Sequence, residues 1–107
     1  MDTIAAIATA RGIAAGIGVV RLSGETAVET AQRVLRLHSG ETLRDAPNRK
    51  LLRAALLDRS GAEIDDILAA VFRAPNSYTG EDVVELHCHG APVVLEETLR
   101  ALFAAGA

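Results

Sequence analysis

The chain has 107 residues, half of them apolar but only 3% aromatic, with eleven basic against fourteen acidic side chains and a net charge of −3. That length supports one core and not two, and a charged fraction of 23% excludes global disorder. The charge balance is not the overall footprint of a nucleic-acid binder, and a lone cysteine, Cys88, excludes an internal disulfide framework.

Taken in order, residues 2–8 read as a first strand, with β-branched Thr3, Ile4 and Ile7. Gly12, Gly16 and Gly18 punctuate a connection rich in small residues, and Ile17 to Leu22 reads as a second, almost wholly apolar strand. Ser23-Gly24 opens a predicted helix over about 25–37, whose apolar stripe is Val28, Ala31, Val34, Leu35 and His38. Thr26 and Glu29 stand at capping-box spacing, with Ser23 as a rival cap and Gly40 as the stop. A polar loop over 39–50 leads into a predicted hairpin: Lys50 to Leu57, a turn at Asp58-Arg59-Ser60-Gly61, then Glu63 to Phe72. Asp65-Asp66 breaks its alternation. A turn over 74–80 precedes a strand over Asp82 to His89. Pro92 opens a last helix with a stripe of Leu95, Leu99, Leu102 and Phe103, and Gly106 ends it.

The order β-β-α-β-β-β-α is an α+β pattern, predicting a mixed or antiparallel sheet packed by helices, in a single domain over 1–107. No apolar run approaches the roughly 20 residues of a membrane helix. Asp2 and Arg11 are out of place in a signal peptide, so a cytoplasmic location without membrane association is expected. A chain that stops just after a helix suggests a truncated larger protein, or one domain of it.

Two charged residues stand out. Arg21 interrupts an apolar strand between Val20 and Leu22; it is either a rim arginine or a donor aimed into a pocket. Glu85 sits in Val83-Val84-Glu85-Leu86, where a carboxylate needs an Arg or a polar ligand to offset several kcal/mol of desolvation. A structural bridge from Arg21 to Glu85 is one solution; the other is a heterocycle presenting an amino group beside a ring N–H, which a carboxylate accepts through two parallel bonds.

Other constellations give less. Gly16-Ile17-Gly18 lacks the third glycine of a dinucleotide fingerprint, and Lys50, the one lysine, is in no phosphate-binding G-x-x-x-x-G-K-[ST] loop. His87 and His89 share one strand face with Cys88 on the other, which leaves zinc short of its usual protein ligands, so no metal site is assigned. Ser77 lies outside any nucleophile elbow and, with Asn76 and Thr79, suits hydrogen bonding within its turn.

Three stretches, DTIAAIAT (2–9), GIGVVRLSG (16–24) and FRAPNSYTGEDVVELHCHG (72–90), closely resemble the N-terminal domain of the MnmE/TrmE family of tRNA-modification GTPases. The last, nineteen residues in register, is the most specific, while 39–62 is nonspecific. The resemblance implies a domain that binds a tetrahydrofolate of the 5-formyl-tetrahydrofolate type and holds a homodimer, with a fold similar to the folate domain of aminomethyltransferases. It further implies helical and GTP-binding domains elsewhere in the full protein, using GTP, Mg and K⁺. With an FAD-dependent partner protein, such an enzyme modifies C5 of the wobble uridine of certain tRNAs. By motif position, Arg21 and Glu85 match folate contacts, and no catalytic residue falls in this fragment. The family's proline pair and Gly-Arg-Gly-Gly loop have no clear match in 9–16, which is one residue longer, so no role is carried over to Arg11. Two rival readings stand beside this one: a module chiefly for dimerisation with no ligand of its own, and a standalone aminomethyltransferase relative, for which the chain is short and offers no general base.

Overall fold

A computed structural model describes residues 3–8, 15–74 and 80–107. Six strands form one sheet: β1 (Ile4–Ile7), β2 (Ala15–Ser23), β3 (Leu35–Leu37), β4 (Leu52–Leu57), β5 (Glu63–Phe72) and β6 (Val83–Gly90). Two helices, α1 (Ala27–Gln32) and α2 (Pro92–Ala104), complete the α+β fold. The spatial order is β1-β2-β6-β5-β4-β3, and each neighbouring pair of strands is antiparallel. After the β1-β2 pair the chain crosses to the far edge through α1. It then meanders back strand by strand until β6 closes against β2.

Period-2 alternation sorts each strand into two faces. On one face Val20, Leu22, Ala54, Leu56, Ile67, Ala69, Val84 and Leu86 are buried in a continuous aliphatic core with Val28 and Ala31 of α1 and with Leu95, Ala101 and Leu102 of α2. Among the described residues no helix covers the other face, where Ile17 is 62% exposed and Leu68 40%. Gly18 is on the covered face, where a Cβ would meet the end of the Leu95 side chain at 2.7 Å, so α2 packs closely over β2.

The hairpin falls where the alternation places it. In its turn, Asp58 Oδ1 accepts bonds from the backbone N–H of Ser60 and Ala62 at 2.9 and 3.0 Å, and Gly61 takes a φ of 87° that favours glycine. α2 starts at Pro92, as predicted, and Gly106 at φ 121° follows its end.

The predicted helix over 25–37 is the main correction. Its helical part ends at Gln32, and Leu35–Leu37 forms an edge strand paired Leu35 to Leu56 and Leu37 to Ala54. Buried Leu35 and Leu37 flank exposed Arg36, a strand alternation too short to stand out against the helical spacing of Val28, Ala31 and Val34. His38 therefore lies beyond β3, exposed, rather than in a buried stripe. Thr26 is the N-cap of α1, yet it makes no side-chain capping bond; its hydroxyl pairs with Thr3 at 2.5 Å instead. The 39–50 loop contains a 3₁₀ turn, Leu43–Asp45, that inserts the fully buried Leu43 into the core. In α2 the buried stripe runs through Leu95, Thr98, Ala101 and Leu102, with Phe103 53% exposed. Thr98 fits because its hydroxyl donates to the Val94 carbonyl at 2.7 Å. Arg11, Gly12 and the turn residues Asn76, Ser77 and Thr79 lie outside the described residues.

Gly18→Val tests the contact between α2 and the sheet. Overpacking against Leu95 is expected to lower unfolding stability by about 1–3 kcal/mol, read as a shift in urea midpoint. An unchanged midpoint means that α2 is not seated on β2 as described.

Candidate functional site

Arg21 and Glu85 meet because the meander closes on itself. The β2–β6 register sets them directly opposite each other, 64 positions apart in sequence, on the uncovered face. The Arg21 guanidinium donates from both Nε and Nη2 to Glu85 Oε2, at 3.1 and 2.8 Å. Of the two readings of this pair, the direct bridge is the observed arrangement. The Arg21 side chain is 39% exposed and that of Glu85 only 9%, so the carboxylate is fixed and the guanidinium is at the rim.

Strand alternation adds a third member. His87, two residues along β6, places its Nε2 3.1 Å from Glu85 Oε1. Both oxygens of the carboxylate are thus engaged, one by Arg21 and one by His87. Burial alone would push the Glu85 carboxyl up, but the bonds and charges of Arg21 and His87 outweigh it and hold the group below the usual glutamate range. The aliphatic neighbours Val84 and Leu86 point to the opposite, helix-covered face.

A shallow depression of about 370 Å³ begins at His87 and runs along the uncovered face, with Ile17, Leu68, Arg53, Asp66 and His89 on its walls. Arg21 and Glu85 are not among its lining residues; His87 is the link between pair and depression. Of the two aspartates that break the β5 alternation, Asp66 lines this depression and Asp65 binds His89 beside it. Asp65 accepts from the His89 backbone N–H at 2.9 Å and lies 2.6 Å from His89 Nδ1. Asp66 lies 2.5 Å from Arg53 and 3.3 Å from His38 Nε2, and the hydrogen bond from Arg53 holds its carboxyl low. Cys88 points the other way into the core, where burial pushes its thiol up to about 11. Among the described residues no three His, Cys, Asp or Glu side chains converge as metal ligands. A larger groove of about 610 Å³ between α1 and the 3₁₀ turn is lined by Glu29, Gln32, Arg44 and Asp45, far from this pair in the fold and with no buried charge.

Sequence reasoning singled out Arg21 and Glu85 but not His87 as their partner, although the period of two that puts His87 and His89 on one face puts Glu85 there as well. The carboxylate partners of His89 and Arg53 had no such signal, since they depend on the β5 register.

The family described as GTP-binding protein TrmE N-terminus matches residues 3–107. A Salinibacter ruber protein named tRNA modification GTPase MnmE is 49% identical over 106 residues, covering 99% of this chain and 22% of its own length. Proteins of the same name from Geobacillus kaustophilus and Clostridioides difficile are 44% and 42% identical, over 99% and 94% of this chain and 23% and 22% of their own. The chain thus spans under a quarter of the length of these curated relatives.

The ion pair carries a pH prediction. A carboxyl held lower in the folded state stabilises the fold above its unfolded value of about 4.3, and that contribution is lost as pH falls through the depressed value. Arg21→Met leaves Glu85 without its main donor and is expected to cost about 1–3 kcal/mol at pH 7, less than for a wholly buried pair because Arg21 is partly solvated. The gap between variant and parent in urea unfolding should narrow toward pH 3; a gap independent of pH contradicts the charge assignment.

Proposed function

The chain belongs to the family of TrmE N-termini, and on that premise we propose that it is the folate-binding, dimerising N-terminal portion of a tRNA-modification GTPase. The observation that carries the reading is the placement of a nearly buried carboxylate, Glu85, with a partly exposed Arg21, on the one sheet face that no described helix covers. Internal pairing already satisfies Glu85, so its burial does not by itself call for a ligand. The support lies in family membership joined to this placement.

The residues fit a reduced folate. The pterin presents an amino group beside a ring N–H, which suits a carboxylate, and it carries ring acceptors, which suit a guanidinium. Oε2 already holds two donors while Oε1 holds one. Because Arg21 is at the rim, it is the group that can turn from Glu85 toward a ligand at the smaller desolvation cost. Bound there, the folate would supply a one-carbon unit, and the chain's own residues bind and orient it. The 5-formyl form is our choice of ligand.

The exposed apolar residues Ile17, Leu68 and Leu51 border the same depression and support the dimerising role on this face. In the full protein, GTP hydrolysis with Mg and K⁺ would belong to residues outside this chain, whose sequence has no phosphate-binding loop. Modification of the wobble uridine with an FAD-dependent partner, in the cytoplasm, completes the proposal. No described helix is long and apolar enough to cross a membrane.

Titration calorimetry of 5-formyl-tetrahydrofolate into the verified dimer should show saturable binding. Glu85→Gln should weaken it by about 1.5–3 kcal/mol, the worth of a charge-assisted bond; unchanged affinity removes Glu85 from the site. Sedimentation checks the assembly separately: the parent should be a dimer, Leu68→Asp should shift it toward monomer, and a monomeric parent at high concentration contradicts the dimerising role.

A further inference from the structure

Resting on the folate reading of this site, we propose that His87 is a positioning residue for Glu85, and that protonation of His87 weakens binding of a ligand that offers paired N–H donors.

The geometry is specific. Both Arg21 donors fall on one carboxylate oxygen, Oε2. A carboxylate gripped at one oxygen is free to turn about that contact, so the Arg21 bond alone does not fix its plane. His87 supplies the second grip, from Nε2 to Oε1 at 3.1 Å. With Glu85 ionised, the proton of that bond is on Nε2, which makes Nδ1 of the neutral ring an acceptor. The carboxylate then keeps one lone pair of Oε1 open and oriented, while Oε2 becomes available when Arg21 turns away. His87 also lines the depression, of which Glu85 is no part, so its ring touches both that space and the carboxylate.

Protonation changes this in two ways. The imidazolium binds Glu85 more tightly and competes with incoming donors, and Nδ1 turns from acceptor into donor. Both work against a ligand that itself brings N–H groups. The charged groups around His87 are otherwise engaged. Directly across from it on β2 is the uncharged Val19, with Arg21, held by Glu85, two residues along; from β5 and β4 come Asp66 and Arg53, 2.5 Å apart. Along its own strand is His89, held by Asp65 at 2.6 Å. His89, held by Asp65, and His38, on Asp66, are the other imidazoles whose effect the test must separate from that of His87.

The test measures affinity for 5-formyl-tetrahydrofolate at pH 8 and pH 5.5. The parent should bind about tenfold more weakly at the lower pH. His87→Gln retains a donor for Oε1 but cannot titrate; it should bind within about threefold of the parent at pH 8 and lose the pH dependence. His87→Ala should bind more weakly at both pH values, and His89→Gln should keep the parent's fall. A parent-like fall in His87→Gln, or parent-like affinity in His87→Ala, overturns the proposal. Nitrogen-15 NMR of the free protein at pH 8 gives an arm that needs no folate: His87 should carry its proton on Nε2, and a proton on Nδ1 overturns the positioning contact. Absence of binding by the parent at both pH values overturns the folate reading itself, and the NMR arm then decides the contact to Glu85 alone.

Discussion

A carboxylate drawn into a β-sheet loses its water and must find donors in the protein, or its charge costs several kcal/mol. Glu85 is in this position, and the demand reaches far into the fold. Its partner must come from the neighbouring strand, directly opposite, on the same face; Arg21 of β2 meets all three conditions. That in turn requires the chain to cross to the far edge and return so that β6 closes on β2. A slip of one residue in this register would send one charge into the aliphatic core.

The sheet divides its labour by face. One side is sealed by Val, Leu, Ile and Ala against α1 and α2, with the end of the Leu95 side chain lying directly over Gly18. The other gathers most of the ordered ion pairs among the described residues: Arg21–Glu85–His87 and Arg53–Asp66–His38. The core and the charged cluster are thereby built from alternate residues of the same strands. A substitution at position 86 concerns the core, and one at 85 or 87 concerns the site.

The features legible in the sequence were those with a local cause. Long alternating segments gave β5 and β6 nearly to the residue, and Pro92 marked the start of α2. Arg21 and Glu85 stood out because a charge among Val and Leu violates a simple expectation. What escaped depended on distant pairing. Leu35–Leu37 is a strand because Leu56 and Ala54 lie beside it, and a three-residue alternation has little weight against a helical spacing that begins seven residues earlier. Phe103 read as core by its spacing in α2, yet the helix turns it outward, since Thr98 and Ala101 take the space against the sheet. The choice between a mutual Arg21–Glu85 bridge and a ligand-neutralised pair was also beyond sequence, because it rests on a distance across two strands. The bridge and the ligand reading are compatible if the rim arginine exchanges partners.

That exchange is observable directly. The Arg21 Nε–H resonance can be followed by NMR while 5-formyl-tetrahydrofolate is added to the protein. The account predicts a large displacement of that resonance, with backbone shifts confined to the uncovered face around residues 17–21 and 85–89. An Arg21 signal that stays in place while shifts gather on the helix-covered face, or near the groove beside α1, would contradict it.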